Sequence, residues 1–319
     1  MKRILRLAIF FILGFLAALC IANYRTDIPV EVLKAKYANA ASHFVSVDGM
    51  SVHYRDEGPK TDSIPLVLLH GTGASLLTWD AWVDNLTKGG TSNHPSHRVI
   101  RLDLPAYGLT GPNSDNTYTA GYYSRFLHDF LTKIGVSQCD LGGNSLGGGI
   151  AWRYALDYPD NVRNLLLIDA GGYPLQSKSV PIAFRLATIP VLKDLLVNIT
   201  PRSLVEKSIR NVYADDSRVT DALIDQYMDM ALREGNRKAF ISRMATSMSD
   251  STYLKIPTLR QRTLILWGAN DYLIPIENAY RFHRDLANDT LVVMPNAGHV
   301  PMEELPIQSV RIVRAFLDK

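Results

Sequence analysis

The sequence is short of cysteine: Cys20 and Cys139 are the only two. The first lies in an apolar run and the second in a strand-like one, so no disulfide is expected between them. An excess of one charge is also missing. Of 34 basic residues, Lys2, Arg3 and Arg6 crowd the start without an acid nearby, and the other 31 match the 31 acids. No Lys/Arg cluster offers a nucleic-acid footprint, which argues against that class of partner. A metal-ligating cluster, a dinucleotide fingerprint, internal repeats and low-complexity tracts are absent as well, so neither metal nor cofactor is expected. What is present is 319 residues, 47% of them hydrophobic, enough for one large domain with an insertion or for two small ones.

One uncharged apolar run stands apart. Residues 7–22 (LAIFFILGFLAALCIA) follow the three cations and precede Tyr24 and Arg25. Basic residues before an apolar core spell a cleaved signal peptide or a membrane anchor. Small residues are badly placed for cleavage, so residues 1–24 are expected to be an uncleaved anchor, with 25–42 as a tether. Cations ahead of the span would put the N-terminus in the cytoplasm and the body outside it, periplasmic in a bacterium. Secretion is the outcome if the segment is cleaved.

Beyond residue 42 the pattern alternates strand and helix. Runs at 44–47 and 51–54 flank Asp48-Gly49, a two-residue hairpin signal. Residues 64–70 (IPLVLLH) form an unbroken apolar run of the kind buried on both faces of a parallel sheet. Further strands are expected at 98–102, 139–141, 162–168, 263–267 and 290–294. Helical spacing occupies 79–86, 119–134, 146–158, 276–286 and 303–317, and a polar loop fills 88–96. From about 173 to 255 strands give way to helices punctuated by Pro174, Pro181, Pro190 and Pro201. The expected architecture is α/β: an eight-stranded, mostly parallel sheet with helices on both faces. Residues 43–172 and 256–319 would make its core, and 173–255 an inserted helical cap.

Gly143-Asn144-Ser145-Leu146-Gly147 matches G-x-S-x-G at a strand-to-helix turn. The turn is so sharp that bulky side chains two before or two after the serine would clash. It lifts the hydroxyl above the sheet, near the amides that start the next helix. A serine hydroxyl needs a general base, and His299 follows the last expected strand. An orienting carboxylate belongs between the two in chain order, where Asp271 stands after another strand. Ser145, Asp271 and His299 are therefore the candidate catalytic residues. The backbone N–H groups of Leu146 and Thr72 are the candidate oxyanion donors, with Gly73 as the alternate to Thr72. His70 reads as a structural hydrogen-bonder.

The segments HGTGASLLTW, DLPAYGLTGP, GGNSLGG, LWGANDYLIP and NAGHVPMEE resemble the successive signatures of the α/β-hydrolase superfamily. The resemblance is to its branch with a helical cap, which includes esterases, C–C bond hydrolases and cofactor-free haloperoxidase-like enzymes. It implies that Asp103 and Pro105 mark the loop after the fourth strand, with Asp103 a lesser candidate for the acid. It also implies that Trp267 and Gly268 lead into Asp271. Relatives that hydrolyse epoxides or haloalkanes use a carboxylate where this chain has Ser145, so a serine points to acyl transfer. The Asn144-to-Gly148 stretch is similar to C–C hydrolases of ring-cleavage products. Gly73-Ala74-Ser75 and Tyr107-Gly108 depart from that branch.

The leading expectation is a membrane-anchored carboxylic ester hydrolase for a small, apolar ester. The alternatives are a C–C hydrolase of a vinylogous diketone and a catalytically silent hydrolase-fold receptor. Apolar residues of the cap (Phe184, Leu186, Ile189, Val191, Leu192, Leu195, Leu196) are candidates for an acyl pocket, although such stripes more often simply pack helices together. Met228, Met230, Met244 and Met248 read as core, and Arg185 as a surface cation.

Overall fold

The computed structural model describes residues 2–88, 96–190, 192–246, 248 and 250–319. Helix α1 spans Lys2–Asn23 and α2 Val30–Tyr37. Strands β1 (Ser42–Val47) and β2 (Met50–Glu57) pair antiparallel across Asp48 and Gly49. Both turn residues have positive φ, 49° and 75°, the geometry that matches the twist of a two-residue hairpin. Then come β3 (Leu66–Leu69), α3 (Asp80–Thr87), β4 (Val99–Leu102), α4 (Ala120–Lys133), β5 (Cys139–Asn144), α5 (Leu146–Asp157) and β6 (Val162–Ile168). The loop expected at 88–96 lies, apart from its two ends, outside the described residues.

A helical insertion follows, made of α6 (Ile182–Ala187), α7 (Leu192–Leu196), α8 (Arg202–Arg210), α9 (Asp221–Leu232) and α10 (Asn236–Ala245). The chain returns to the sheet in β7 (Arg262–Gly268), α11 (Glu277–Asp285) and β8 (Asp289–Met294). The helix expected at 303–317 is two, α12 (Pro301–Glu304) and α13 (Pro306–Leu317). Pro306 has no N–H to continue the first helix and sits instead at the start of the second.

The eight strands form one sheet in the order β1-β2-β4-β3-β5-β6-β7-β8. Pairings β1–β2 and β2–β4 are antiparallel, and every other pairing is parallel. Side chains alternate between the two faces, and in the central strands both faces are buried. Val67, Leu69, Ile100, Leu102, Leu165 and Leu167 join the apolar cluster on one side. Leu66, Leu68, Val99, Leu166, Ile168 and Leu264 join the cluster on the other. Burial on both sides is why these strands read as unbroken apolar runs.

The membrane expectation is corrected. Among the described residues no helix is long and apolar enough to cross a membrane. The uncharged run of α1 rises 1.5 Å per residue, so residues 7–22 reach about 24 Å, short of the roughly 30 Å hydrocarbon core. With the anchor goes the placement of the body outside the cytoplasm, periplasmic or secreted, which rested on that segment alone.

Residues 25–28, expected as the start of a tether, run across the insertion as a strap. Arg25 N–H donates to the Asn198 carbonyl at 2.8 Å, and Ile28 N–H donates to Leu232 at 2.7 Å. Glu234 N–H returns a bond to the Ile28 carbonyl at 2.9 Å. Past the strap, Leu33 of α2 is buried with Leu109 and Met230.

Candidate active site

Ser145 sits between β5 and α5 with φ 55° and ψ −114°, a conformation that L-residues avoid. Its neighbours show why the turn requires glycine. A Cβ on Gly143 would stand 2.2 Å from the Gly147 carbonyl carbon, and one on Gly147 would stand 2.2 Å from the Leu69 carbonyl oxygen. Backbone bonds hold the turn: Ser145 N–H donates to Ile168 at 3.1 Å, and Gly149 and Gly171 N–H donate to the Ser145 carbonyl. Asn144 Nδ2 donates to the His299 carbonyl at 2.9 Å, tying the serine turn to the histidine loop.

His299 follows β8 and is 4% exposed. Its Nδ1 lies 2.7 Å from Asp271 Oδ2. The other Asp271 oxygen accepts the N–H groups of Leu273 and Ile274 at 2.8 and 2.9 Å, which fixes the carboxylate in the turn after β7. The histidine loop is also held from the insertion and from α12. His299 N–H donates to the Val212 carbonyl at 2.8 Å. Glu304 takes the N–H of Gly298 on one oxygen at 2.7 Å and that of Ala214 on the other at 2.8 Å.

Ser145 and His299 line one cavity of about 170 Å³. Its floor includes Thr72 and Gly73. Its walls are mostly apolar and come largely from the insertion, among them Phe184, Leu196, Leu204, Val205 and Phe240, with Leu273 from the core. The backbone N–H groups of Thr72 and Leu146 have no protein acceptor among the described residues. Of the expected pocket stripe, Phe184 and Leu196 face the cavity, whereas Ile189, Leu192 and Leu195 are exposed. Val191 lies outside the described residues. Met228 and Met230 are buried, and Met230 reaches the cavity. Arg185 is exposed.

Two further residues have structural duties. His70 accepts the Leu104 N–H on Nε2 at 3.0 Å and places Nδ1 2.8 Å from the Gly71 carbonyl. Burial holds its imidazole below the usual histidine range. Asp103 receives His53 at 2.8 Å and the N–H groups of Leu76 and Leu109. Burial works to raise its carboxyl, but the bond and charge of His53, with His70 and the Leu76 N–H, together keep it below the usual range. It is committed there and does not meet His299.

Sequence reasoning missed Asp169. It follows β6 directly, with φ 43°, and is fully buried. One oxygen accepts the Gly268 N–H at 2.9 Å, and the other accepts from no donor among the described residues. Ligand atoms of Asp169, Asp271 and His299 lie within 4.8 Å of one another. Burial, and after it the charge of Asp271, holds the Asp169 carboxyl well above the usual carboxylate range. The available signal resembled the one for Asp271: an acid after an apolar strand, between Ser145 and His299 in chain order. Glu304, on an amphipathic helix, gave no such signal.

The chain is similar to known hydrolases over most of its length. A 2-hydroxy-6-oxononadienedioate/2-hydroxy-6-oxononatrienedioate hydrolase of Burkholderia vietnamiensis is 29% identical over 303 residues, covering 92% of this chain and 98% of the relative. Among solved structures, a bacterial membrane phospholipase A superposes with a TM-score of 0.72 at 26% identity, covering 100% of this chain and 98% of that one. A thermophilic esterase from Thermogutta terrifontis gives 0.69 at 25% identity, with 86% and 96% covered. The sequence pattern of the alpha/beta hydrolase family matches residues 66–311, from β3 into α13. With the sheet order and the turn at Ser145 already in view, the chain belongs to the alpha/beta hydrolase family.

Proposed function

We propose that the chain is a serine hydrolase of carboxylic esters with an apolar acyl side, working through Ser145, His299 and Asp271. The observation that carries this reading is the 2.7 Å contact of His299 Nδ1 with Asp271, at a cavity the histidine shares with Ser145. In this reading Asp271 keeps the proton on Nδ1 and leaves Nε2 free to act as base. Ser145 Oγ attacks the ester carbonyl carbon while Nε2 takes the hydroxyl proton. Negative charge gathers on the carbonyl oxygen, where the N–H groups of Leu146 and Thr72 meet it. The C–O bond breaks, the alcohol leaves with the proton from His299, and an acyl-serine remains. A water that gives its proton to His299 then attacks the acyl carbon, the acid departs, and Ser145 recovers its hydrogen.

Residues 173–255 act as a cap that supplies most of the acyl-pocket wall in this account. The relatives named as phospholipase and esterase support ester substrates. The purified chain should release p-nitrophenol from short-chain esters, and Ser145→Ala should abolish the release. Undiminished turnover in the alanine variant would refute the assignment.

A second reading is C–C bond hydrolysis of a vinylogous diketone, favoured by the Burkholderia relative. The same serine, histidine and carboxylate serve it. Turnover of such a diketone against simple esters separates the two, and ester-only activity rejects the second.

A further inference from the structure

Arg237 is an unexpected side chain in an apolar cavity. It belongs to α10, is 7% exposed, and is the single Lys, Arg, Asp or Glu among the described residues lining the cavity with Ser145. A buried guanidinium without a counter-charge is strongly unfavourable. Its counter-charge comes from the far end of the sequence. Asp27 Oδ1 accepts from Arg237 Nε at 3.1 Å and from Nη2 at 2.5 Å. The Arg25 carbonyl takes a further bond from Nη2 at 2.8 Å. Among the described residues Nη1 reaches only Thr200 Oγ1, at 3.4 Å, and Thr200 itself lines the cavity.

The pair spans the wall. Asp27 is 39% exposed to solvent, while Arg237 and the Thr200 that its Nη1 reaches both line the cavity. The second Asp27 oxygen accepts the Gly235 N–H at 3.2 Å, so the carboxylate is gripped from two directions. The strap bonds of Arg25 and Ile28 fix the backbone on either side of it. Little reorganisation separates this carboxylate from its cation.

We propose that Asp27 sets the charge of the substrate: by neutralising Arg237 it keeps the active-site cavity for uncharged acyl groups, and its removal opens that cavity to acyl chains ending in a carboxylate. The proposal deepens the ester-hydrolase reading and rests on it. The substrate's own carboxylate would take the place of Asp27 beside the guanidinium, through charge-assisted hydrogen bonds.

The test compares two p-nitrophenyl esters of equal acyl length on the full chain, the butyrate and the mono-succinate. The native protein favours the butyrate. Asp27→Asn, which keeps the shape and loses the charge, raises the succinate-to-butyrate ratio of kcat/KM about tenfold or more. Asp27→Glu leaves the ratio near its native value. The gain disappears when Arg237→Gln is added to Asp27→Asn. Asp27→Ser serves as the second truncation, and a cooperative melt confirms folding of each variant. An unchanged ratio in both truncations, or a gain that survives loss of Arg237, overturns the proposal. If the native chain hydrolyses neither ester, the ester reading itself has failed. The charge rule is then read by calorimetry with hexanamide and the anion of adipic monoamide. Asp27→Asn must bind the anion about tenfold more tightly than the native chain does, and no gain overturns the rule.

Discussion

Asp169 offers a sharp test of how charge is arranged behind the candidate base. The perturbation is Asp169→Asn, nearly identical in shape to a protonated aspartic acid. Burial, with Asp271 beside it, holds the Asp169 carboxyl above the usual range, so the folded protein keeps a proton that the unfolded chain releases near pH 4. Stability tied to this proton is fully present below that pH and is lost as pH rises toward the folded value. Within that window the native chain loses about 1.4 kcal/mol per pH unit through this single group. For a large single domain this is roughly 2–4 °C in Tm per unit. Asparagine does not titrate, so the variant lacks this slope. Thermal melts of both proteins from about pH 5 upward should show the Tm difference moving in favour of the variant until the folded value is passed. Ester turnover should persist, because the amide can still donate toward Asp271. A Tm difference that stays flat from about pH 5 upward would refute the reasoning.

Other consequences follow from single contacts. Gly147→Ala brings a methyl group within 2.2 Å of the Leu69 carbonyl oxygen; it should cost more than about 2 kcal/mol in denaturant unfolding and remove activity. Glu304→Gln confronts the Gly298 or Ala214 N–H with an amide donor instead of an acceptor. A loss of about 1–3 kcal/mol is expected, with kcat falling more than KM because the histidine loop loosens. Ser309→Ala strands the buried Trp82 indole N–H, which donates to Ser309 Oγ at 2.8 Å; about 1–3 kcal/mol should be lost in urea melts, with activity per folded molecule intact. Asp271→Asn should lower kcat by several orders of magnitude while labelling of folded protein confirms the site is formed.

The central strands were legible because they are buried on both faces, and a short apolar run bounded by turn residues favours a strand. The serine turn was legible because sterics fix its glycines, as Gly143 and Gly147 demonstrate. What stayed hidden depends on contacts between distant segments. Nothing near Asp27 announces a partner at Arg237, 210 positions away. Asp169 looked like any acid at a strand end, since its meeting with Asp271 requires β6 and β7 to be neighbours. The break at Pro306 was visible in the sequence, but the helical periodicity on either side concealed it. The apolar start misled for a different reason: composition suggested a span, and length did not supply one.

The central claim is that Ser145 is the nucleophile. The most direct measurement is treatment of the full chain with a fluorophosphonate probe, followed by peptide mapping by mass spectrometry. The account predicts one stoichiometric adduct on Ser145, formed at a rate that collapses in His299→Ala. No adduct on a folded chain, or an adduct on a different serine, would contradict it.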